Sequence, residues 1–343
     1  MNILYGVAGV GFGHSSRALV IAKYLEDKGH RVRIVTYGDG YKVLRKKFDC
    51  FKVNGLNLVF KGGVLRKRQT LTQNIQNFPK NAWRWKKFHR LMKEFKPDLC
   101  ISDMEPLVPI LSFWYRLPLI SMDNQHRLTN LQIDVPKKYI KDFLIAKETV
   151  NAFVRRADKF IVASFANASL KNKETVIVPP IIRIGVQKLK PKYGKKILVY
   201  LSKSDKKILN ELKNINEEFV VYGFDIKKKK DNLEFKTRET FLQDLGGCKC
   251  VIGTAGFSLM GEAIYLDKPY LAIPLKGQFE QVLNALFLKK AGFGDYTEEL
   301  IEKDVVYFLH KLEDYKKKLK RYHPDQKKLF REIDSSLKKF NGK

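Results

Sequence analysis

Cysteine is scarce in this chain: four residues in 343, at positions 50, 100, 248 and 250. Cys248 and Cys250 form a C-x-C, too tight for a usual zinc knuckle, and no second close pair accompanies them. Thiols of a reducing cell are therefore expected, with neither a disulfide scaffold nor a zinc site. Long apolar runs are missing as well. No uncharged stretch approaches the ~18 residues that a membrane-spanning helix needs. The opening MNILYGVAGVGFGHSSR has no basic segment before its apolar run and passes into glycines, so no signal peptide is expected. The expected location is the cytoplasm, in solution or peripheral on the inner face of the cell membrane. Acid is short too: 36 Asp and Glu against 66 Lys and Arg leave a net charge of +30. Such an excess attracts phosphate in nucleic acid, anionic lipid or nucleotide. The lysines are dispersed, however, in runs such as DIKKKKD and YKKKLKR that read as solvated faces. The aromatics fall at core spacing instead of beside a basic stripe, so nucleic acid is not the expected partner.

What is present points to two α/β domains. A hydrophobic content of 44% excludes a mainly disordered chain, and 343 residues exceed what one core usually covers. NILYGVA (2–8) is an apolar run followed by glycines, then by SSRALVIAKYLEDKG at helical spacing, then by a second run, HRVRIVTYG. That is β–loop–α–β, the start of a doubly wound parallel sheet. PDLCISD (97–103), LPLISMD (117–123) and DKFIVAS (158–164) continue it, and TVIVPPIIR (175–183) breaks the rhythm at Pro179 and Pro180. The same grammar restarts with KKILVYLS (195–202), EFVVYGF, LEFKT, CKCVIGT and PYLAIPL. The expected domains are 1–180 and 181–320, two Rossmann-like units facing a cleft. Residues 321–343 form an amphipathic helix packing back onto the first domain.

Ligands of open α/β sheets sit beyond the carboxyl ends of the strands, and the unusual polar residues of this chain lie there. In GVAGVGFGHSSR the glycines miss the G-x-G-x-x-G spacing, because His14 stands where the third glycine would be. A dehydrogenase is thereby disfavoured, although Asp39 after the second strand suits one. Gly11 and Gly13 permit a tight turn and close backbone approach. His14 lands at a helix N-terminus, where the positive helix end keeps an imidazole neutral and able to accept a proton. In ISDMEP, Asp103 ends a strand and Glu105 follows. Either acid suits the orienting partner of a histidine, and Asp103 suits a helix cap equally; Glu105, with Gly11 and Gly13, is expected on the acceptor side. Asn124, Gln125 and His126, in DNQHR, are an amide-rich group suited to acceptor oxygens, or a plain turn.

In the second half, VIGTAGFSLMGEA is a strand, a small-residue turn and a helix start. Thr254, Gly256, Phe257 and Ser258 make a phosphate seat at that helix end. Glu262 shares a face with Ser258 and suits a ribose diol, which offers two hydrogens to a carboxylate. Glu280 and Gln281 follow the next strand and reach toward a hexose, with Asn284 three residues on. One nucleotide-sugar fits that order.

These residues carry a resemblance. GFGHSSR and, above all, GTAGFSLMGEAIYLDKPYLAIPLKGQFEQVLNALFLKKAGFG make the chain similar to the GT-B fold glycosyltransferases. The branch resembled holds the lipid-II N-acetylglucosaminyl transferase and the UDP-glucuronosyltransferases. SDMEP and DNQH resemble a little-characterised archaeal and bacterial subgroup of it. The resemblance implies an inverting hexosyl transfer from a UDP-sugar, with no cofactor and no metal, and the chain has no D-x-D handle. It also implies His14 as the base, Asp103 as its partner, and UDP stabilised by the amides of Gly256–Ser258. Thr237 falls where the family contacts uracil. Ser202 is a further phosphate contact, though YLSKSD lacks the fuller glycine loop of the lipid-II relatives. NAWRWKKFHRLMKEF (81–95), with Lys80 before it and GVLRKRQ upstream, reads as a basic aromatic helix for a membrane surface or as a core-facing helix with a basic outside. Lipid-glycosylating relatives favour a lipid-linked acceptor. A UDP-sugar 2-epimerase and a non-catalytic nucleotide or nucleic-acid binder are the alternatives.

Overall fold

The strand runs fall into two seven-stranded sheets, one in each half of the chain. The computed structural model describes residues 1–55, 60–61, 64–65, 82–201 and 205–341, with backbone alone for 60–61, 64–65 and 82–84. It divides into unit 1, Met1–Pro179 with Gln326–Lys343, and unit 2, Pro180–Asp325.

Unit 1 holds β1 (Asn2–Val7), β2 (Arg31–Thr36), β3 (Asp49–Lys52), the short hairpin β4 (Phe60–Lys61) and β5 (Val64–Leu65), β6 (Leu99–Asp103), β7 (Leu119–Asp123), β8 (Lys159–Ala163) and β9 (Thr175–Val178). The sheet order is β3-β2-β1-β6-β7-β8-β9, with all pairs parallel. Order reverses at β1, so the loops after β1 and β6 lie side by side, the switch-point arrangement of doubly wound sheets. Val7 pairs with Asp103 in that register, which brings the strand-end acid level with the glycine loop. The run Thr175–Val178 is the last strand of this sheet, and the Pro-Pro pair follows it.

Strand interiors such as Ile3, Leu4, Ile101 and Ile120 are fully buried, each contributing roughly 1.5–3 kcal/mol over exposure. The helix Ala82–Phe95 turns Leu91, Met92 and Phe95 into the same core and leaves Lys86, Lys87, Arg90 and Lys93 outside. Of the two readings of that segment, the core-facing one holds for those residues. Lys80, the residues RKRQ (66–69) and the side chains of Trp83 and Arg84 lie outside what is described. The terminal helix Lys328–Phe340 belongs to unit 1. Phe330 stacks 4.3 Å from the Tyr24 ring, and Asp334 accepts from the Tyr24 hydroxyl at 2.8 Å.

Unit 2 repeats the plan with β10 (Ile197–Tyr200), β11 (Phe219–Tyr222), β12 (Lys228–Lys230), β13 (Leu233–Phe235), β14 (Val251–Thr254), β15 (Tyr270–Ile273) and β16 (Gly294–Tyr296). Its order is β12-β13-β11-β10-β14-β15-β16, parallel except at β12. Three of the four lysines of DIKKKKD form this antiparallel edge strand, a charged edge that resists pairing with another chain. Thr254 pairs with Ile273, so the turns after β14 and β15 open at one edge of the sheet. Among the described residues no helix is long and apolar enough to cross a membrane.

Candidate functional site

In unit 1 the glycine loop is shaped by close approach. A Cβ on Gly9 would fall 1.9 Å from the Tyr37 carbonyl oxygen, so only glycine fits where the loop crosses β2's exit. Gly11 takes φ +70° and is exposed, and Gly13 opens the helix Gly13–Asp27. His14 thus stands in the first turn, with 17% of its side chain exposed. Its Nδ1 lies 2.8 Å from Asp103 Oδ1. Asp103 is fully buried and also takes two hydrogen bonds from Arg17, from Nε at 2.6 Å and Nη2 at 2.5 Å. Burial alone would raise the Asp103 carboxyl. The Arg17 charge, with the hydrogen bonds from Arg17 and His14, outweighs it and holds the acid below its ordinary range.

Glu105 does not share this work. Met104 turns the chain through a left-handed φ of 54°, and the Glu105 carboxylate accepts from the N–H groups of Leu107 (3.1 Å) and Val108 (2.9 Å). It is the cap of the helix Leu107–Tyr115, a part Asp103 had suited on sequence. Burial pushes it up to about 7, with those two amides pulling the other way.

The DNQHR group is also resolved by its partners. Asn124, 1% exposed, accepts from Arg17 Nη1 at 2.8 Å, and Gln125 Oε1 accepts from the Asn124 N–H at 3.3 Å. His126, also 1% exposed, lies 2.6 Å from Asp123 Oδ2 through Nδ1 and 3.0 Å from the Val154 carbonyl through Nε2. Burial opposes a charge on His126, but Asp123 and that carbonyl prevail and raise it above its ordinary value. Asp123 is held at about 2, its burial outweighed by His126 and by hydrogen bonds from His126 and Ser121. The expectation of an acceptor contact is corrected for His126: its polar atoms face inward, as a buried ion pair that braces the turn after β7.

In unit 2 the helix Phe257–Tyr265 begins at Gly256, which brings no side chain to cap it. The Gly256 N–H itself donates to the Thr254 carbonyl at 2.8 Å, so that amide is engaged within the turn. Thr254 and Phe257 are buried, and Ser258 is half-buried on the face of Glu262. Glu262 is 5% exposed and is met by Arg183, whose Nη2 donates to Oε2 at 2.8 Å and whose Nε is 2.6 Å from Oε1. Burial raises the Glu262 carboxyl, and the arginine pulls it back without cancelling the rise. Gln281 Oε1 accepts from the Leu275 N–H at 3.1 Å, and its Nε2 donates to Gln278 at 2.8 Å, tying down the loop after β15. Glu280 is half-buried beside it. Asn284 is fully buried and donates to the Ala255 carbonyl at 2.8 Å, so it braces the β14 turn from the neighbouring helix instead of facing outward. Thr237 precedes a short 3-10 turn and its hydroxyl donates to Glu239 at 3.4 Å. Ser202 lies outside the described residues.

Two arginines that the structure places at these clusters were not singled out on sequence, Arg17 and Arg183. Arg17 stands three residues after His14, which places both on one helix face, and that spacing was the available signal. Arg183, a lone arginine after the Pro-Pro pair, gave none.

Comparison with known proteins bears on the chemistry. The family described as glycosyl transferase family 1 matches residues 1–313. An uncharacterized glycosyltransferase of Methanosarcina acetivorans is 28% identical over 171 residues, 48% of this chain and 44% of that one. Another, of Methanosarcina mazei, is 24% identical over 329 residues, 86% of this chain and 85% of that one. Among solved structures, Phytolacca americana UGT2 complexed with UDP-2fluoro-glucose and pterostilbene superposes with a TM-score of 0.71 at 13% identity, covering 97% of this chain and 98% of its own. The glycosyltransferase VinC in complex with DTDP gives 0.62 at 14% identity, covering 95% and 94%. Both share the GT-B fold.

Proposed function

The chain belongs to glycosyl transferase family 1 and is a glycosyltransferase, and we propose that it moves a hexose from a UDP-sugar to an acceptor hydroxyl with inversion and without a metal. The observation that carries this reading is the His14–Asp103 contact of 2.8 Å at the mouth of the glycine loop. With the Nδ1 proton donated to Asp103, Nε2 keeps its lone pair for an acceptor O–H. The acceptor proton passes to Nε2 and the oxygen lone pair forms the new bond to the anomeric carbon. The bond from that carbon to the phosphate oxygen breaks, and its electron pair leaves with UDP. Backbone donors at the start of the helix Phe257–Tyr265 stabilise that developing charge, the part a metal plays elsewhere. Glu262 holds the ribose and the loop bearing Glu280 and Gln281 reads the sugar.

Uridine is favoured over thymidine by the resemblance of the donor segment, and structural neighbours carry both nucleotides. A lipid-linked acceptor is supported by an aromatic surface on unit 1. Phe113 is 81% and Trp114 70% exposed, and Trp85 packs 6.3 Å from Trp114. A groove of about 890 Å³ beside them is rimmed by Arg116, Arg155 and Arg156. Exposed aromatics edged by cations suit the boundary of an anionic bilayer.

A thermal-shift screen of UDP-, dTDP- and GDP-sugars, followed by transfer assays with and without EDTA, tests the reading. The expected result is stabilisation by UDP-sugars and EDTA-insensitive transfer with inverted configuration. Turnover of a UDP-sugar without acceptor would point to an epimerase, and loss of transfer in EDTA would overturn the metal-free assignment.

A further inference from the structure

The base reading gives no part to Arg17, a buried cation in contact with the His14–Asp103 pair. Arg17 is 6% exposed, and its guanidinium reaches the groups that end β6 and β7 as well as the ring on its own helix. It donates to both oxygens of Asp103, its Nη1 donates to Asn124 Oδ1 at 2.8 Å, and its Nη2 lies 2.8 Å from His14 Nδ1. We propose that Arg17 is a positioning residue of the transfer reaction, clamping Asp103 against the His14 ring and setting a fixed positive charge beside it. The proposal rests on His14 being the base.

Geometry supplies the first half. A planar fork on both carboxylate oxygens fixes the carboxylate's rotation, and Oδ1 is the oxygen shared with His14 Nδ1. Asp103 cannot turn from the ring without breaking its bonds to Arg17. Charge supplies the second half. A buried carboxylate next to a histidine draws a proton onto the ring unless another cation already balances it.

Unit 1 contains that comparison. Asp123 and His126 are also a buried Asp–His pair, but the hydrogen bonds to Asp123 come from Ser121 and His126. There the histidine is pushed up toward its charged form. At Asp103 the arginine is present, and a second positive charge on His14 would sit directly against it. The other groups around the cluster do not change this balance. Tyr5, on β1, is fully buried and its phenol is pushed up by that burial and by Asp103, so it stays neutral. Asp123 faces Arg17 across the cluster as well and is matched first by His126, Arg127 Nε binds the Asn124 carbonyl at 2.7 Å, and Glu105 is turned to its helix cap.

The test compares Arg17→Met and Arg17→Lys in the full chain, reading the pH profile of kcat/KM for transfer, with UDP-induced thermal shift as the measure of an intact donor unit. Removing the charge is expected to move the acid limb to higher pH by about 1–3 units and to lower kcat/KM at neutral pH. Arg17→Lys, which keeps the charge and loses the fork, is expected to leave the limb near wild type while lowering kcat by roughly tenfold. An unmoved limb in Arg17→Met, or a limb displaced equally in both variants, overturns the proposal. Where Arg17→Met does not fold, Arg17→Gln carries the same test. Activity retained in His14→Ala would sink the base reading itself, whereas an inactive His14→Ala with an unmoved Arg17→Met limb would sink this proposal alone.

Discussion

Replacing Asp103 by asparagine removes one charge and one acceptor oxygen from a fully buried position. Arg17 would keep its charge in the same place, 6% exposed, with no counter-charge at the end of its fork. An asparagine offers the fork one oxygen and turns an NH2 donor toward the other N–H. Breaking a buried pair by deleting one partner costs about 3–5 kcal/mol. For a unit of roughly 150–250 residues each kcal/mol is about 2–4 °C in Tm, so unit 1 should melt roughly 6–20 °C lower. Transfer should fall by about 10²–10⁴-fold, since the ring loses the acceptor that orients it. The pH dependence has a definite sign. Asp103 is held below its ordinary value when folded, so its contribution is present above about pH 3.9 and lost as pH falls through the folded value. The variant should lack that part of the acid slope. Calorimetric melts from pH 3 to 7 read both effects. A Tm within about 2 °C of wild type, with the acid slope intact, would refute the buried-pair account.

Three other outcomes follow from the same contacts. The Asp123–His126 pair is fully stabilising between about pH 4 and 6.5, above the unfolded carboxylate value and below the unfolded histidine value. Its contribution fades as pH rises through the raised His126 value or falls toward the Asp123 value of about 2, and His126→Phe should remove both slopes from the melts of unit 1. Glu262→Gln should weaken UDP binding by roughly 10–100-fold in calorimetric titration, the loss of hydrogen bonds to a charged acceptor; unchanged affinity would remove the ribose role. Joint replacement of Phe113 and Trp114 by Ser should reduce co-sedimentation with anionic vesicles severalfold at unchanged Tm, because both rings are largely exposed. Equal sedimentation would exclude that surface.

The sheets were legible because fully buried parallel strands read as apolar runs, and the glycines after β1 mark where the chain must turn tightly. The strand in TVIV was missed because Pro179 and Pro180 break the run just after it, and the strand within KKKK was missed because an exposed edge strand can be all lysine. At the site, periodicity placed His14 and Asp103 at the carboxyl ends of strands, and the β1–β6 pairing made those ends neighbours. Sequence did not separate Asp103 from Glu105, since one residue of left-handed backbone at Met104 decides which acid faces the ring. Nor did it reveal that His126 and Asn284 point inward. Polar residues near strand ends, on a loop or a neighbouring helix, look alike whether they face a ligand or satisfy a carbonyl, and only the partner, Val154 or Ala255, tells them apart.

In the proposed reaction His14 takes the acceptor proton while unit 2 holds the donor. The most direct measurement is sugar transfer and UDP affinity in His14→Ala measured side by side. The account predicts a transfer rate lower by roughly 10²–10⁴-fold with UDP binding unchanged. Transfer near the wild-type rate with intact UDP binding would contradict it.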